Sequence, residues 1–134
     1  MFNFAEANPR AAMKTVLIVE DSATTRSMIR SILEDFDEIE TVEAATGFEA
    51  LKQLPAHKVD LVVTDINMPD INGLELINFM RGDERYEKIP IIIISTERSE
   101  EDKTRGVALG ADAYITKPFS PEDLRGLVRE IFAR

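Results

Sequence analysis

The chain has no cysteine and no tryptophan, and only one histidine, His57. Without cysteine there is no disulfide framework, no thiolate metal site and no cysteine nucleophile, and one imidazole cannot build a histidine metal cluster. Any metal held here is therefore a hard cation on oxygen ligands. Long apolar runs are missing too: none approaches the roughly 20 residues that span a bilayer, which argues against membrane insertion. Residues 1–14 lack the basic start and apolar stretch of a secretory signal, so a cytoplasmic location is expected. Basic charge is scarce. The 16 Lys and Arg face 25 Asp and Glu, and a net charge of −9 repels a phosphate backbone, which argues against nucleic acid as a direct partner.

What is present is an alternating pattern. The 134 residues are enough for one domain. Residues 1–14, irregular and containing Pro9, read as a flexible leader without assigned function, and residues 15–134 as the folded unit. Five β-type runs, Thr15 to Glu20, Ile39 to Ala44, Val59 to Thr64, Ile91 to Ser95 and Asp112 to Thr116, alternate with helical patterns. The first, third and fourth are continuously apolar, as parallel strands covered on both faces require. The second alternates and reads as an edge strand. Ile29, Ile32, Leu33 and Phe36 follow the i, i+3, i+4, i+7 rule of an amphipathic helix, as do Leu124, Leu127, Val128 and Ile131. Further helices are expected at Gly47 to Leu54, Gly73 to Arg81 and Ser99 to Leu109, the last ended by Gly110. The fold class is α/β: a five-stranded parallel sheet doubly wound with five helices, flavodoxin-like. The helix from Ser99 stands apart because its first half carries no large apolar residue. It reads either as a solvated face or as an element of low local stability suited to movement.

In such a sheet the functional groups gather at the carboxyl ends of the strands, beside a topological switch point. Those ends carry Glu20 and Asp21, Asp65, Ser95 and Lys117. Asp21 alone would read as a helix cap, but three clustered acids repel one another unless a cation neutralises them. Mg²⁺ fits best, because it accepts a couple of carboxylates and keeps waters that a phosphate oxygen can replace. Lys117 reads as a salt-bridge partner of Asp65, as a point charge for a phosphate oxygen, or as both. The parts suit in-line attack of the Asp65 carboxylate on phosphorus, giving an acyl phosphate to which the Ser95 hydroxyl donates.

Glu20-Asp21 after the first strand, Asp65-Ile66-Asn67-Met68-Pro69 with Gly73 after the third, Ser95-Thr96 after the fourth and Lys117-Pro118-Phe119 after the fifth together resemble the receiver domains of two-component response regulators. The match covers about Thr15 to Arg134, and within the family it is similar to the single-domain CheY-like members. The resemblance implies Asp65 as phosphoacceptor, with Glu20, Asp21, Asp65 and the Asn67 carbonyl as the Mg²⁺ set. Glu20 stands where Asp is more frequent and would act through a water. It further implies Ser95 and Tyr114 as the switch pair, Asn67 and Glu97 as tuners of phosphoryl lifetime, and a cis Lys117-Pro118 bond. Tyr114 reads equally as a static core residue. A sensor histidine kinase or phosphotransfer protein would supply the phosphoryl group. A downstream protein would bind the fourth-helix, fifth-strand and fifth-helix surface, with the chain a monomer or a phosphorylation-dependent dimer, in phosphorelay signalling such as chemotaxis. The implied role is a switch rather than an enzyme, catalysing only its own phosphorylation and slow dephosphorylation.

Three other readings compete. A haloacid-dehalogenase-type hydrolase needs a second acid two residues after its nucleophile, and Asn67 stands there. A flavodoxin would set its flavin phosphate beside Glu20 and Asp21, which repel it. A non-phosphorylated pseudo-receiver serving as a docking module would be free to lose the motif residues, and all are present.

Overall fold

A computed structural model of the chain describes residues 13–96 and 100–134. Strands β1 (Lys14–Val19), β2 (Ile39–Ala44), β3 (Leu61–Thr64), β4 (Ile91–Ser95) and β5 (Ala113–Thr116) alternate with helices α1 (Ala23–Glu34), α2 (Gly47–Ala56), α3 (Gly73–Arg81), α4 (Glu100–Leu109) and α5 (Pro121–Phe132). The strands form one parallel sheet in the order β2-β1-β3-β4-β5. The α/β expectation holds, and the alternating strand β2 lies at an edge as its pattern requires. Among the described residues, no helix is long and apolar enough to cross a membrane.

Period-2 alternation divides the core. Leu17, Val19, Val62, Ile91 and Ile93 face one way and pack with Leu54, Leu76, Ile77 and Met80 of α2 and α3. Val16, Ile18, Leu61, Val63, Ile92 and Ile94 face the other way and pack with Ile29, Leu33, Leu124 and Val128 of α1 and α5. Apolar positions at helical spacing on α1 and α5 thus become buried stripes. Ser22 caps α1, Thr46 caps α2, and capping boxes built on Asn72 and Ser120 start α3 and α5.

Two strands begin later than their sequence suggests, for one physical reason. The Asp60 carboxylate accepts the Thr15 N–H at 2.9 Å, and the Asp112 carboxylate accepts the Ile91 N–H at 2.8 Å. Each side chain thus takes a neighbouring strand's donor in place of a backbone carbonyl, so β3 starts at Leu61 and not Val59, and β5 at Ala113 and not Asp112. β1 runs from Lys14 to Val19, one residue ahead of expectation. α2 continues past Leu54 through Pro55 to Ala56; Pro55 gives up one i→i−4 hydrogen bond, and the helix ends directly after it at the His57 cap. The expected start of α4 at Ser99 lies outside the described residues. Its end is as expected: Gly110 takes φ +111°, with Gly110 N–H donating to Val107 and Ala111 N–H to Gly106, a Schellman closure.

Candidate functional site

In this strand order the chain goes from β1 to β2 on one side and then crosses back to β3 on the other side of β1, so the crevice of the sheet opens over the carboxyl ends of β1 and β3. Glu20 and Asp21 follow β1, and Asp65 follows β3. Parallel pairing carries these residues together: the Asp65 N–H donates to the Val19 carbonyl at 3.0 Å, one step beyond the last ladder pair, Val19 with Thr64. Carboxylate oxygens of Glu20, Asp21 and Asp65 all lie within 4.8 Å of one another.

Each acid is held differently. Glu20 is buried. One of its oxygens accepts the Ser22 N–H at 3.1 Å, and the other accepts Lys117 Nζ at 2.8 Å. Its backbone carbonyl accepts Arg26 Nη1 at 2.8 Å, which ties the turn to α1. Asp65 is also buried; its Oδ1 accepts the Ile66 N–H at 2.7 Å and the Asn67 N–H at 3.4 Å, and its Oδ2 accepts Lys117 Nζ at 3.2 Å. Asp21 is exposed, and Ser22 rather than Asp21 caps α1, so the cap reading of Asp21 is set aside. Lys117 reaches both buried acids and lies nearer to Glu20 than to Asp65. The preceding expectation named Asp65 alone as its structural partner.

Burial pushes the Glu20 carboxyl above its ordinary range; the charge of Asp65 adds to this, against the hydrogen bonds from Lys117 and Ser22. Burial also acts to lower the Lys117 ammonium, but its hydrogen bond to Glu20 and the charge of Asp65 outweigh that and leave it raised. Lys117 is therefore charged. The three carboxyl groups outnumber the one ammonium, an imbalance that a cation complements. All the donors are oxygens, so the set fits a hard ion such as Mg²⁺.

Ser95 ends β4 and is fully buried, its carbonyl accepting the Lys117 N–H at 2.8 Å. Asn67 is exposed in the loop after Asp65. Tyr114, on β5, is half-buried and packs against the α2 and α3 side of the core. Glu97 lies outside the described residues. The Lys117-Pro118 peptide is cis, as expected.

Two supports of the site were not legible beforehand. Asp70 accepts the N–H groups of Gly47 at 3.0 Å and Phe48 at 2.9 Å, pinning the loop after Asp65 to the start of α2. The approach is close enough that a Cβ on Gly47 would stand 2.5 Å from the Ile71 carbonyl oxygen. Arg26 joins α1 to Glu43 of β2 at 3.0 Å as well as to the Glu20 carbonyl. These partners stand 6 to 23 residues apart in the chain, and no local spacing announces them.

A buried acid at a switch point, grouped with two more acids and bridged by a lysine, makes a site on a doubly wound sheet whose oxygens could hold a divalent cation. The chain matches the response regulator receiver domain model over residues 16–129, and it belongs to that family. It is 34% identical over 119 residues to chemotaxis protein CheY of Pseudomonas aeruginosa, a match covering 89% of this chain and 96% of that one. It is 38% identical over 111 residues to CheY1 of Helicobacter pylori, covering 82% and 90% of the two chains. Among solved structures, Vibrio cholerae CheY4 superposes with a TM-score of 0.83 at 37% identity, covering 90% of this chain and 99% of that one. The chain is thus a response-regulator receiver of the two-component type, a family of phosphoacceptor switches that use Mg²⁺ held by acidic residues and interact with histidine kinases or phosphotransfer proteins and with downstream targets.

Proposed function

We propose that Asp65 is the phosphoacceptor and that residues 15–134 act as a phosphorylation switch, with residues 1–14 preceding the receiver unit. The observation that carries this reading is the bridging of Glu20 and Asp65 by Lys117 inside a cluster of three carboxylates. The Asp65 carboxylate forms the new P–O bond as the bond from phosphorus to the donor's leaving atom breaks, and the leaving group departs with the electron pair. Glu20, Asp21, Asp65 and the Asn67 carbonyl are the residues that would hold Mg²⁺. When bound, the ion supplies neutralising charge to the transferring phosphoryl oxygens. Lys117, already charged and fixed by Glu20, supplies the protein's own positive charge at the same place. The backbone N–H groups of Ile66 and Asn67 orient the attacking carboxylate.

Ser95 then donates its hydroxyl to the phosphoryl group, and Tyr114 on the neighbouring strand follows that movement. The resulting change is a shift of a pre-existing equilibrium in the surface of α4, β5 and α5, where the downstream protein docks. Asn67 and Glu97 tune the loss of phosphate. Transfer comes from a sensor histidine kinase or a phosphotransfer protein in the cytoplasm. The chemotaxis proteins among the relatives favour a chemotaxis pathway.

Intact-mass analysis after acetyl phosphate treatment, with and without Mg²⁺, tests the assignment. One phosphoryl mass that requires Mg²⁺ and is absent from Asp65→Asn is expected. Labelling of Asp65→Asn at the wild-type level would overturn it, and no adduct at all would favour the docking module.

A further inference from the structure

Far from the acidic cluster, at the opposite ends of the strands, one guanidinium is fully committed. Arg81, the last residue of α3, uses all five of its N–H donors. Its Nε and Nη2 form a fork on the Gly110 carbonyl at 3.1 and 2.8 Å. Its Nη1 donates to the carbonyls of Glu87 at 3.0 Å and Ile89 at 2.8 Å, and Nη2 donates also to the Asp112 carboxylate at 3.2 Å. Asp112 in turn receives the Ile91 N–H and Arg134 Nη1 at 2.9 Å. The end of α3, the loop before β4, the turn closing α4 and the residue before β5 thus meet on one planar cation, and Asp112 links it to the start of β4. That cation also faces the carbonyl end of α4, where positive charge is favoured.

The two halves of α4 are held unequally. Gly106 is the only buried residue of the helix, and it sits so tightly on the sheet that a Cβ there would stand 2.5 Å from Ile93 Cδ1. Leu109 packs against the core beyond it. Between Glu100 and Arg105 no residue is buried. The Gly110 turn also lies close against Arg81: a Cβ on Gly110 would meet Arg81 Nε at 2.8 Å.

We propose that Arg81 is the fulcrum of α4: it fixes the carboxyl end of the helix through Gly110, so that the helix reorients by swinging its amino end. The switching part of this inference rests on the reading of Asp65 as phosphoacceptor; the anchoring part stands on Arg81 alone. A half-buried side-chain fork on the carbonyl that closes a helix anchors that end, and a helix with one anchored end and one unburied end moves as a lever. Displacement near the site is then passed to the exposed amino half without loss of the sheet contacts at Gly106.

Because the chain has no cysteine, pairs of spin labels can be placed freely. Lys52 on α2 serves as the reference, with partners at the exposed Lys103 and Ala108, each changed to Cys and read by pulsed electron resonance distances in the full chain. Without a phosphodonor, Arg81→Ala widens the 52–108 distance distribution about twofold, and Arg81→Lys, which keeps the charge but not the fork, widens it less. An unchanged 52–108 width in either soluble variant overturns the anchor. With acetyl phosphate and Mg²⁺, the wild-type 52–103 distance shifts at least about twice as far as 52–108. Equal shifts at the two positions, or no shift in protein whose mass carries the phosphoryl group, overturn the lever. If the mass carries no phosphoryl group, the phosphoacceptor reading falls while the first pair of variants still decides the anchor.

Discussion

Lys117 Nζ lies 2.8 Å from Glu20 Oε2, and Glu20 is 1% exposed, so the longer acid at this position is the lysine's main holder. Its second oxygen is fixed by the Ser22 N–H. Glu20 therefore sets where the cation stands before any phosphoryl group arrives. Glu20→Gln keeps the shape and removes one carboxyl group of the three. Calorimetric titration should show Mg²⁺ affinity reduced about 10- to 100-fold, the range for loss of a supporting group around a metal. An unchanged affinity would remove Glu20 from the metal set.

Lys117→Ala acts in the other direction on the ion, because it deletes the positive charge beside the acids. Mg²⁺ affinity should be equal to or above that of the wild type, whereas Asp21→Ala should lose it. The phosphorylated variant should fail to shift the 52–103 distance, since the charge that holds the phosphoryl oxygen is gone. Loss of Mg²⁺ titration as complete as in Asp21→Ala would refute this division of roles.

Gly73→Ala tests the packing beneath the acceptor. A Cβ at residue 73 would stand 2.2 Å from the Asp65 carbonyl oxygen, a backbone atom that cannot swing aside as a side-chain tip would. The Gly73 N–H also donates to Ile66 at 2.8 Å, so the loop must move as a piece. We expect destabilisation of about 1–3 kcal/mol by urea titration, the usual cost of overpacking, together with slower acetyl phosphate labelling. Wild-type values of both would show that the loop relaxes freely.

Asp70 provides a pH test. Its slight burial acts to raise its pKa, but hydrogen bonds from the N–H groups of Phe48, Ile71 and Gly47 prevail and hold it below the ordinary carboxylate range. A group with a lowered folded pKa adds stability that is present above its unfolded pKa and is lost as pH falls through the folded value. Asp70→Asn should therefore lower the thermal midpoint at neutral pH, with the difference shrinking through the acid range. A constant difference at all pH values would assign the effect to shape rather than charge.

Most of the fold was legible because its signals are local. Continuous apolar runs at Val16–Val19 and Ile91–Ile94 and the 3.6-period stripes of α1 and α5 report burial through side-chain period alone. Boundaries failed where a side chain substituted for backbone: Asp60 and Asp112 carry no local mark that they accept a strand donor 45 and 21 residues away. The convergence of Glu20, Asp21, Asp65 and Lys117 was also legible, since a parallel sheet places every strand's carboxyl end on one side.

The sequence by itself therefore determined the class of the fold, the two-faced burial of its sheet and the residues of the acidic cluster. Those follow from periodicity and strand direction, which act over a few residues. Only the tertiary structure decided that Lys117 rests chiefly on Glu20, that Asp70 pins the acceptor loop to α2 and that Arg81 closes on Gly110. These are contacts between segments 23 to 97 residues apart, and their partners are selected by how the helices pack across the sheet, a geometry that no local pattern encodes.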